Sequence, residues 1–247
     1  HPRWGPSKLL DLIGRRNPKW ELPAPSTAAL ILKRHGLVKP RRRYRRAHPG
    51  SPKSVPAGPN DIWGADYKGQ FRLGNRRYCY PLTVSDYRSR YLLACEGLES
   101  TREAGAFPVF ERVFREFGLP AAIRTDNGVP FASTHALFGM SRLAVWWLRL
   151  GIAIERIKPG HPQQNGRHER MHLTLKQETT RPPAYNFLQQ QARFDDFIKG
   201  YNQDRPHQAL GGKYPGEVYT PSAREYHHPE VPEYPFHDRT IQVTQCG

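Results

Sequence analysis

Three carboxylates sit where side chains could do chemistry: Asp66, Asp126 and Glu169. Asp66 lies mid-strand in Trp63-Gly-Ala-Asp66-Tyr-Lys68. A charge inside a strand bound for a core is costly unless something pairs with it. Asp126 stands where a short apolar strand ends, in Arg124-Thr-Asp126-Asn-Gly128, and Glu169 falls in the first turns of a helix, in Asn165-Gly-Arg-His-Glu169-Arg. Singly, each has a plain reading. Asp66 could pair with Lys68, Asp-Asn-Gly is a common turn, and a glutamate near a helix start complements the dipole. Together they are a set of oxygen ligands for hard divalent cations such as Mg²⁺, with Mn²⁺ as a substitute. Two such ions roughly 3.5–4 Å apart clamp the attacking and leaving oxygens of an in-line phosphoryl displacement. The expected site is therefore one that breaks and makes phosphodiesters, where positioning and charge stabilisation dominate.

The helix that carries Glu169 adds to this. His172 and Lys176 follow it by three and seven residues and share its face, which suits a DNA backbone entering the site. The other reading of that face is a solvated helix surface. Met171 and Leu175 lie on another face and are expected in the core. Lys158, Asn165 and Arg167, at and before the start of this helix, join the candidate DNA contacts.

The elements that must position these groups begin at residue 61. Strands are expected over Ile62–Leu73, Arg77–Ser85 and Tyr91–Glu96, with Asp86–Arg90 as the turn between the last two. Ser100-Thr-Arg-Glu103 reads as a capping box. It opens a helix whose apolar face holds Phe107, Phe110, Phe114 and Phe117 and which ends at Gly118 and Pro120. A short strand Ala121–Thr125, a helix within Leu137–Leu150, a strand Ile152–Ile157, a helix from Asn165 or Gly166 to about Thr180 and a further helix Tyr185–Tyr201 complete the pattern. Consecutive strands followed by alternating helices and strands imply an α/β fold, a mixed sheet with helices packed on it.

Residues 1–38 read as a small helical module. One helix is expected to be capped by Ser7, and a second, Ala28–His35, to be capped by Ser26 or Thr27 and stopped by Gly36. With Lys33 and Arg34 on the second helix this is either a helix-turn-helix fragment that reads DNA or a plain hairpin packed on the core. Residues 39–60 form a basic, proline-rich linker. Arg41, Arg42, Arg43 and Arg45 crowd its start, and the stretch is expected to contact DNA rather than act only as a tether. Arg239–Gln245 alternates like a strand, so 221–247 is read as the beginning of a C-terminal β region.

The bulk composition is consistent with this. The net charge of +16 favours a polyanionic partner, and a hydrophobic share of 37% is that of a folded chain rather than a disordered one. No apolar run is long enough to span a membrane. The three cysteines, 79, 95 and 246, form no CxxC pair, which points away from a zinc knuckle or a disulfide framework and towards buried thiols in a reducing cytoplasm.

Four elements together, Trp63-xx-Asp66, Thr125-Asp126-Asn127-Gly128-xx-Phe131, His161-Pro162-xx-Asn165-Gly166-xx-Glu169-Arg170 and Tyr201-Asn-xx-Arg205-Pro206-His207-x-Ala209-Leu210, resemble the integrase catalytic core of bacterial insertion-sequence transposases. That group is similar to retroviral integrases. The resemblance runs from about Asp61 to Tyr219 and implies a ribonuclease H-like fold and an Asp66–Asp126–Glu169 triad holding two Mg²⁺ ions. It also implies end cleavage and strand transfer of a mobile element, a homo-oligomer on paired DNA ends, and a cytoplasmic, nucleoid-associated protein. Residues 4–38 resemble the tail of the family's helix-turn-helix region. The 42 residues between Asp126 and Glu169 exceed the spacing of many members, with the surplus placed in Ser133–Leu143. Two rival readings keep the fold, a simple nuclease and a non-catalytic DNA-binding protein. A third is a protein-interaction module that uses a basic surface.

Overall fold

The computed structural model describes residues 4–38, 54–133, 136–157 and 166–229. Two short helices, α1 (Pro6–Arg16) and α2 (Pro25–Arg34), precede the sheet. Neither starts at the expected serine: the N-caps are Gly5 and Ala24, and a proline occupies the first turn of each. Proline fits there because its missing N–H would have no helical partner and its φ is already set for the helix. Gly36 does terminate α2, at φ +68°. The module docks on the core through Arg15, which donates to Glu217 at 2.7 Å and to the Gly212 carbonyl at 3.2 Å.

The sheet contains β1 (Ile62–Tyr67), β2 (Phe71–Arg72), β3 (Tyr78–Asp86), β4 (Leu92–Leu98), β5 (Ala122–Thr125) and β6 (Ala153–Arg156). β1 pairs β3 antiparallel and β5 parallel, β5 pairs β6 parallel, and β3 also pairs β2 and β4 antiparallel. The single strand expected over Ile62–Leu73 is interrupted at Lys68–Gln70, where Gly69 takes φ +80°, a conformation that suits glycine. The helices are α3 (Glu103–Phe117), α4 (Arg142–Arg149), α5 (Gly166–Thr179), α6 (Phe187–Gln203) and the short α7 (Pro215–Val218).

Strand alternation sorts the side chains into two layers. Trp63, Leu82, Val84 and Ile123 pack with Phe110, Phe114, Leu143 and Trp147 from α3 and α4. On the other face Cys79, Leu92 and Cys95 meet Met171 and Leu175 of α5 and Phe194, Phe197 and Tyr201 of α6. Fully burying one such phenylalanine or leucine stabilises by about 1.5–3 kcal/mol, so both helix pairs are firmly seated. Cys79 and Cys95 are free and buried, and burial pushes the Cys79 thiol up to about 12.

Several sequence expectations change at the edges. Ser100 does not cap α3. The N-cap is Arg102 without a side-chain bond, and the Glu103 carboxylate accepts from the Leu143 N–H instead. The expected helix over Leu137–Leu150 is a 3₁₀ turn, Leu137–Gly139, followed by α4, which Ser141 caps. Residues 54–60 are not linker. Asn60 is buried, its N–H donates to Asp86 and its Oδ1 accepts from the Trp63 indole, while Asp61 holds the turn at Ala57 and Gly58. Residues 221–226 also belong to the core edge. Ser222 N–H donates to the Phe117 carbonyl, and Arg224 donates to Pro120, Leu150 and Gly151 carbonyls. The strand expected at Arg239–Gln245 lies outside the described residues.

Candidate active site

Parallel pairing of the two central strands brings the first two carboxylates together. Gly64 of β1 is registered with Arg124 of β5. The same register carried two residues further sets Asp126, just past the end of β5, beside Asp66. Both are partly exposed, at one end of the sheet. The Asp126 carboxylate accepts the Gly128 N–H at 3.0 Å, and Asn127 Nδ2 donates to the Ile157 carbonyl at 2.9 Å. The Asp-Asn-Gly segment thus forms a turn and also leaves the Asp126 carboxylate at the strand tips.

Two residues before Asp126, Arg124 is buried and gives two bonds to one Glu155 oxygen, from Nε at 2.9 Å and from Nη2 at 2.7 Å. Its Nη2 also donates to Ser54 Oγ at 2.6 Å, and its guanidinium lies over the Tyr87 ring. This ion pair ties β5 to β6 and anchors residue 54 beside the site.

Asp66 faces α5, because β1 alternates. Gly64 lies on the same face, and a Cβ there would stand 2.8 Å from His168 and 2.3 Å from Tyr87. Glycine is what allows α5 to approach the strand so closely. From α5, His168 and His172 both reach the Thr83 hydroxyl, Nε2 to Oγ1 at 2.8 and 2.7 Å, and Thr83 Oγ1 donates to the Asp66 carbonyl at 3.0 Å. A hydroxyl has one proton and two lone pairs. The carbonyl can only accept, so the proton goes there and each imidazole donates from Nε2. Both rings are then neutral with a bare Nδ1, which agrees with the 3.4 Å contact between Ser85 Oγ and His168 Nδ1. Burial lowers the His168 pKa to about 4. Burial, then His168 and Lys68, lower that of His172 to about 2.

His172, which the shared-face reading set among the DNA contacts, is 7% exposed and turned towards Thr83. Its Nδ1 stands 3.8 Å from Asp66 Oδ2. Two electron-rich atoms facing one another complement a cation. Lys68 and Lys176 are close enough to act on each other, and the Lys68 pKa is lowered by burial first and by Lys176 second, with Asp66 opposing.

Glu169 and Lys176 are exposed on α5, and Lys33 and Arg34 are exposed at the end of α2. Arg41, Arg42, Arg43, Arg45, Lys158 and Asn165 lie outside the described residues, as does the side chain of Arg167. Among the described residues, no group of three or more His, Cys, Asp and Glu side chains is gathered closely enough to hold a metal ion. Asp66 and Asp126 fit a hard cation in donor chemistry and placement. Glu169 has the right donor but is not gathered with them. Sequence reasoning missed Thr83 and His168. The available signal was the polar Thr83 and Ser85 alternating with Leu82 and Val84 in β3, a polar stripe on an otherwise apolar strand.

Two models described as integrase core domain match residues 56–162 and 150–215. An insertion element IS407 protein of 31.7 kDa from Burkholderia multivorans is 27% identical over 187 residues, 74% of this chain and 64% of its own length. An insertion element IS476 protein of 39.2 kDa from Xanthomonas euvesicatoria is 29% identical over 217 residues, 85% of this chain and 59% of its own length. The chain thus spans less than two thirds of these curated relatives. Among solved structures, the HTLV-2 integrase catalytic core domain in complex with magnesium aligns with TM-score 0.52 at 16% identity, covering 66% of this chain and 99% of that one. A simian T-cell lymphotropic virus intasome aligns with TM-score 0.57 at 18% identity, covering 89% of this chain and 73% of that one. The mixed sheet with flanking helices is the ribonuclease H-like fold of these cores. With both integrase-core matches running on from one another through the strands that carry Asp66 and Asp126 and the helix that carries Glu169, the chain belongs to the integrase-core family and is similar to these insertion-element proteins.

Proposed function

We propose that the chain is the catalytic part of a DNA transposase, with Asp66, Asp126 and Glu169 as its metal-binding triad. The observation that supports this reading is the parallel register of β1 and β5, with Gly64 opposite Arg124, which carried two residues further would set Asp66 beside Asp126 at one end of the sheet. Divalent cations held by these carboxylates, Mg²⁺ or Mn²⁺, would supply Lewis-acid stabilisation of the charge that develops on the phosphate and make an attacking hydroxyl more acidic.

The chain's own residues do the rest. Lys176 and Lys68 flank Asp66 and draw a phosphate backbone towards it. The Thr83 hydroxyl holds the Asp66 carbonyl, and through the two histidines it ties α5 to β3. The histidines, neutral and buried, hold position and carry no proton to the reaction. Two displacements follow on the DNA. Water replaces one strand's oxygen at phosphorus and leaves a free 3′-OH. That 3′-OH then attacks a phosphodiester of target DNA, so that one P–O bond forms as another breaks. Lys33, Arg34 and the basic stretch Arg41–Arg46 hold DNA outside the site, and Lys158, Asn165 and Arg167 hold it near the start of α5. A homo-oligomer would pair two DNA ends.

The test is Mg²⁺-dependent nicking, and joining of a labelled 3′-OH end to a plasmid, with Asp66→Asn beside the wild type. Loss of both steps in the variant, with DNA binding retained, supports the reading. Nicking without joining by the wild type would make the chain a nuclease, and DNA binding with neither step would make it a non-catalytic binder.

A further inference from the structure

In the segment between Asp126 and α4 stands a side chain the triad does not use. Phe138 is 79% exposed, whereas Phe110, Phe114, Phe131 and Phe194 are fully buried. Its backbone is left-handed, φ 55° and ψ 18°, a region that residues other than glycine, asparagine and aspartate seldom adopt. Exposed aromatic surface and backbone strain at the same residue both cost stability, and strain of this kind gathers at functional positions.

The tip that carries Phe138 is tied down. The Gly139 carbonyl accepts from the Ser133 N–H at 3.0 Å and from Arg156 Nη2 at 2.8 Å. Ala132 and Met140 form an antiparallel bridge at the base of the tip. Arg156 is the β6 residue registered with Thr125, the residue before Asp126. The tip is thus pinned to the end of β6, the strand beside the one that leads into Asp126. Val129, 62% exposed, lies in the segment that joins Asp126 to the tip.

An apolar ring presented to solvent by a basic protein, on a tip fixed to the same end of the sheet as the proposed triad, has one natural counterpart in nucleic acid: the flat face of a base. Aromatic side chains stack on unpaired bases, and apolar wedges enter base steps and unstack them. We propose that Phe138 is a base-contacting residue, which lays its ring against an unstacked nucleobase of the DNA held at Asp66 and Asp126. This rests on the transposase reading for the position of the DNA. It adds a recognition element that acts on the base rather than the phosphate. The base can belong to the element end or to the target, and the two sources are distinguished below.

The experiment uses the full chain with Ca²⁺ in place of Mg²⁺, so that DNA binds without being cut. 2-Aminopurine is placed at successive positions near the joining point, in one series on a duplex from the DNA flanking the gene and in another on a target duplex. The wild type should change the emission at one position in one series, which identifies the strand. Phe138→Asn keeps a residue that tolerates the left-handed backbone and removes the ring. It should abolish that change and weaken binding about tenfold, and Phe138→Trp should retain both. A mismatch at the responsive position should leave wild-type binding intact and shrink the loss in Phe138→Asn. An unchanged 2-aminopurine signal in Phe138→Asn would overturn the proposal. So would a fall in sedimenting mass in that variant with the DNA signal intact, which would place the ring against a second copy. If the wild type neither nicks nor joins in Mg²⁺ yet gives the position-specific signal, the transposase reading fails while the base contact stands.

Discussion

Two stretches of this chain carry specific motifs, yet they serve opposite ends. Around Glu169 the Asn-Gly-x-x-Glu-Arg element presents its acid and its Lys176 to solvent. Around Tyr201 the Tyr-Asn-x-x-Arg-Pro-His element turns inward. Asn202 is 1% exposed and brackets Leu92, accepting from its N–H and donating to its carbonyl, both at 2.9 Å. Arg205 donates to Glu178 of α5 at 2.9 Å and lies near the rings of Trp4 and Tyr201. His207 packs edge-on against Tyr201. The second element clamps α6, α5 and the N-terminal helices together. A specific motif therefore need not be a chemical one, and burial tells the two apart.

The comparison predicts crossed phenotypes. The largest effect is expected in Glu169→Gln, which keeps shape and removes charge. Joining should fall at least ~10³-fold, since such ligands contribute several kcal/mol to the transition state, while the melting temperature stays at or above that of the wild type. Substantial joining by this variant would remove Glu169 from the triad, and Glu178 would be tested next. Asn202→Ala should do the reverse. Two buried backbone groups of Leu92 lose their partner at about 1–3 kcal/mol each, which a denaturant midpoint would register, while joining per folded molecule is kept. A normal midpoint would mean that the clamp adds nothing.

Thr83→Val lies between the two. It strands two buried imidazole N–H groups, so about 1–3 kcal/mol of stability should be lost for each. Joining should fall as well, because α5 is no longer tied to β3. Thr83→Ser should restore both, and failure of the serine to rescue would show that the hydroxyl is not the active part. The smallest effect concerns pH. Burial, and then the charges of Lys8, Arg205 and Arg90, hold the His207 pKa down at about 3. The unfolded imidazole takes up a proton below about 6.5 and the folded one does not, so its contribution is full above that pH and is lost as pH falls towards 3. His207→Gln should reduce the slope of melting temperature against pH across that window, leaving the part that His168 and His172 contribute, and an unchanged slope would place the acid sensitivity in those two.

Much of this architecture can be read from residue order. The alternation in β3, the phenylalanine face of α3 and the Asn-Gly start of α5 announce their elements, and Asp66 and Asp126 can be paired once β1 and β5 are seen as parallel neighbours. The helix starts were misread because Ser7 and Ser26 are good caps by type, while Pro6 and Pro25 had already set the first turn. His172 was misplaced because periodicity gives a shared face but not which edge of that face the sheet covers. Gly64 decides that, and its role shows only when α5 is seen against the strand. Residues 54–60 read as linker because they are rich in proline and glycine, yet Asn60 and Asp61 organise them by local hydrogen bonds that leave no periodic trace.

The grip of Arg124 on Ser54 also has a consequence for search. Only seven residues lie between Arg46 and Ser54, a span of at most about 29 Å even when fully stretched. On the proposal that these arginines hold DNA, a phosphate caught by Arg46 would stay within that distance of Ser54. Confinement on that scale corresponds to millimolar effective concentration, so on that proposal capture by the arm and delivery to the carboxylates would become a single intramolecular event.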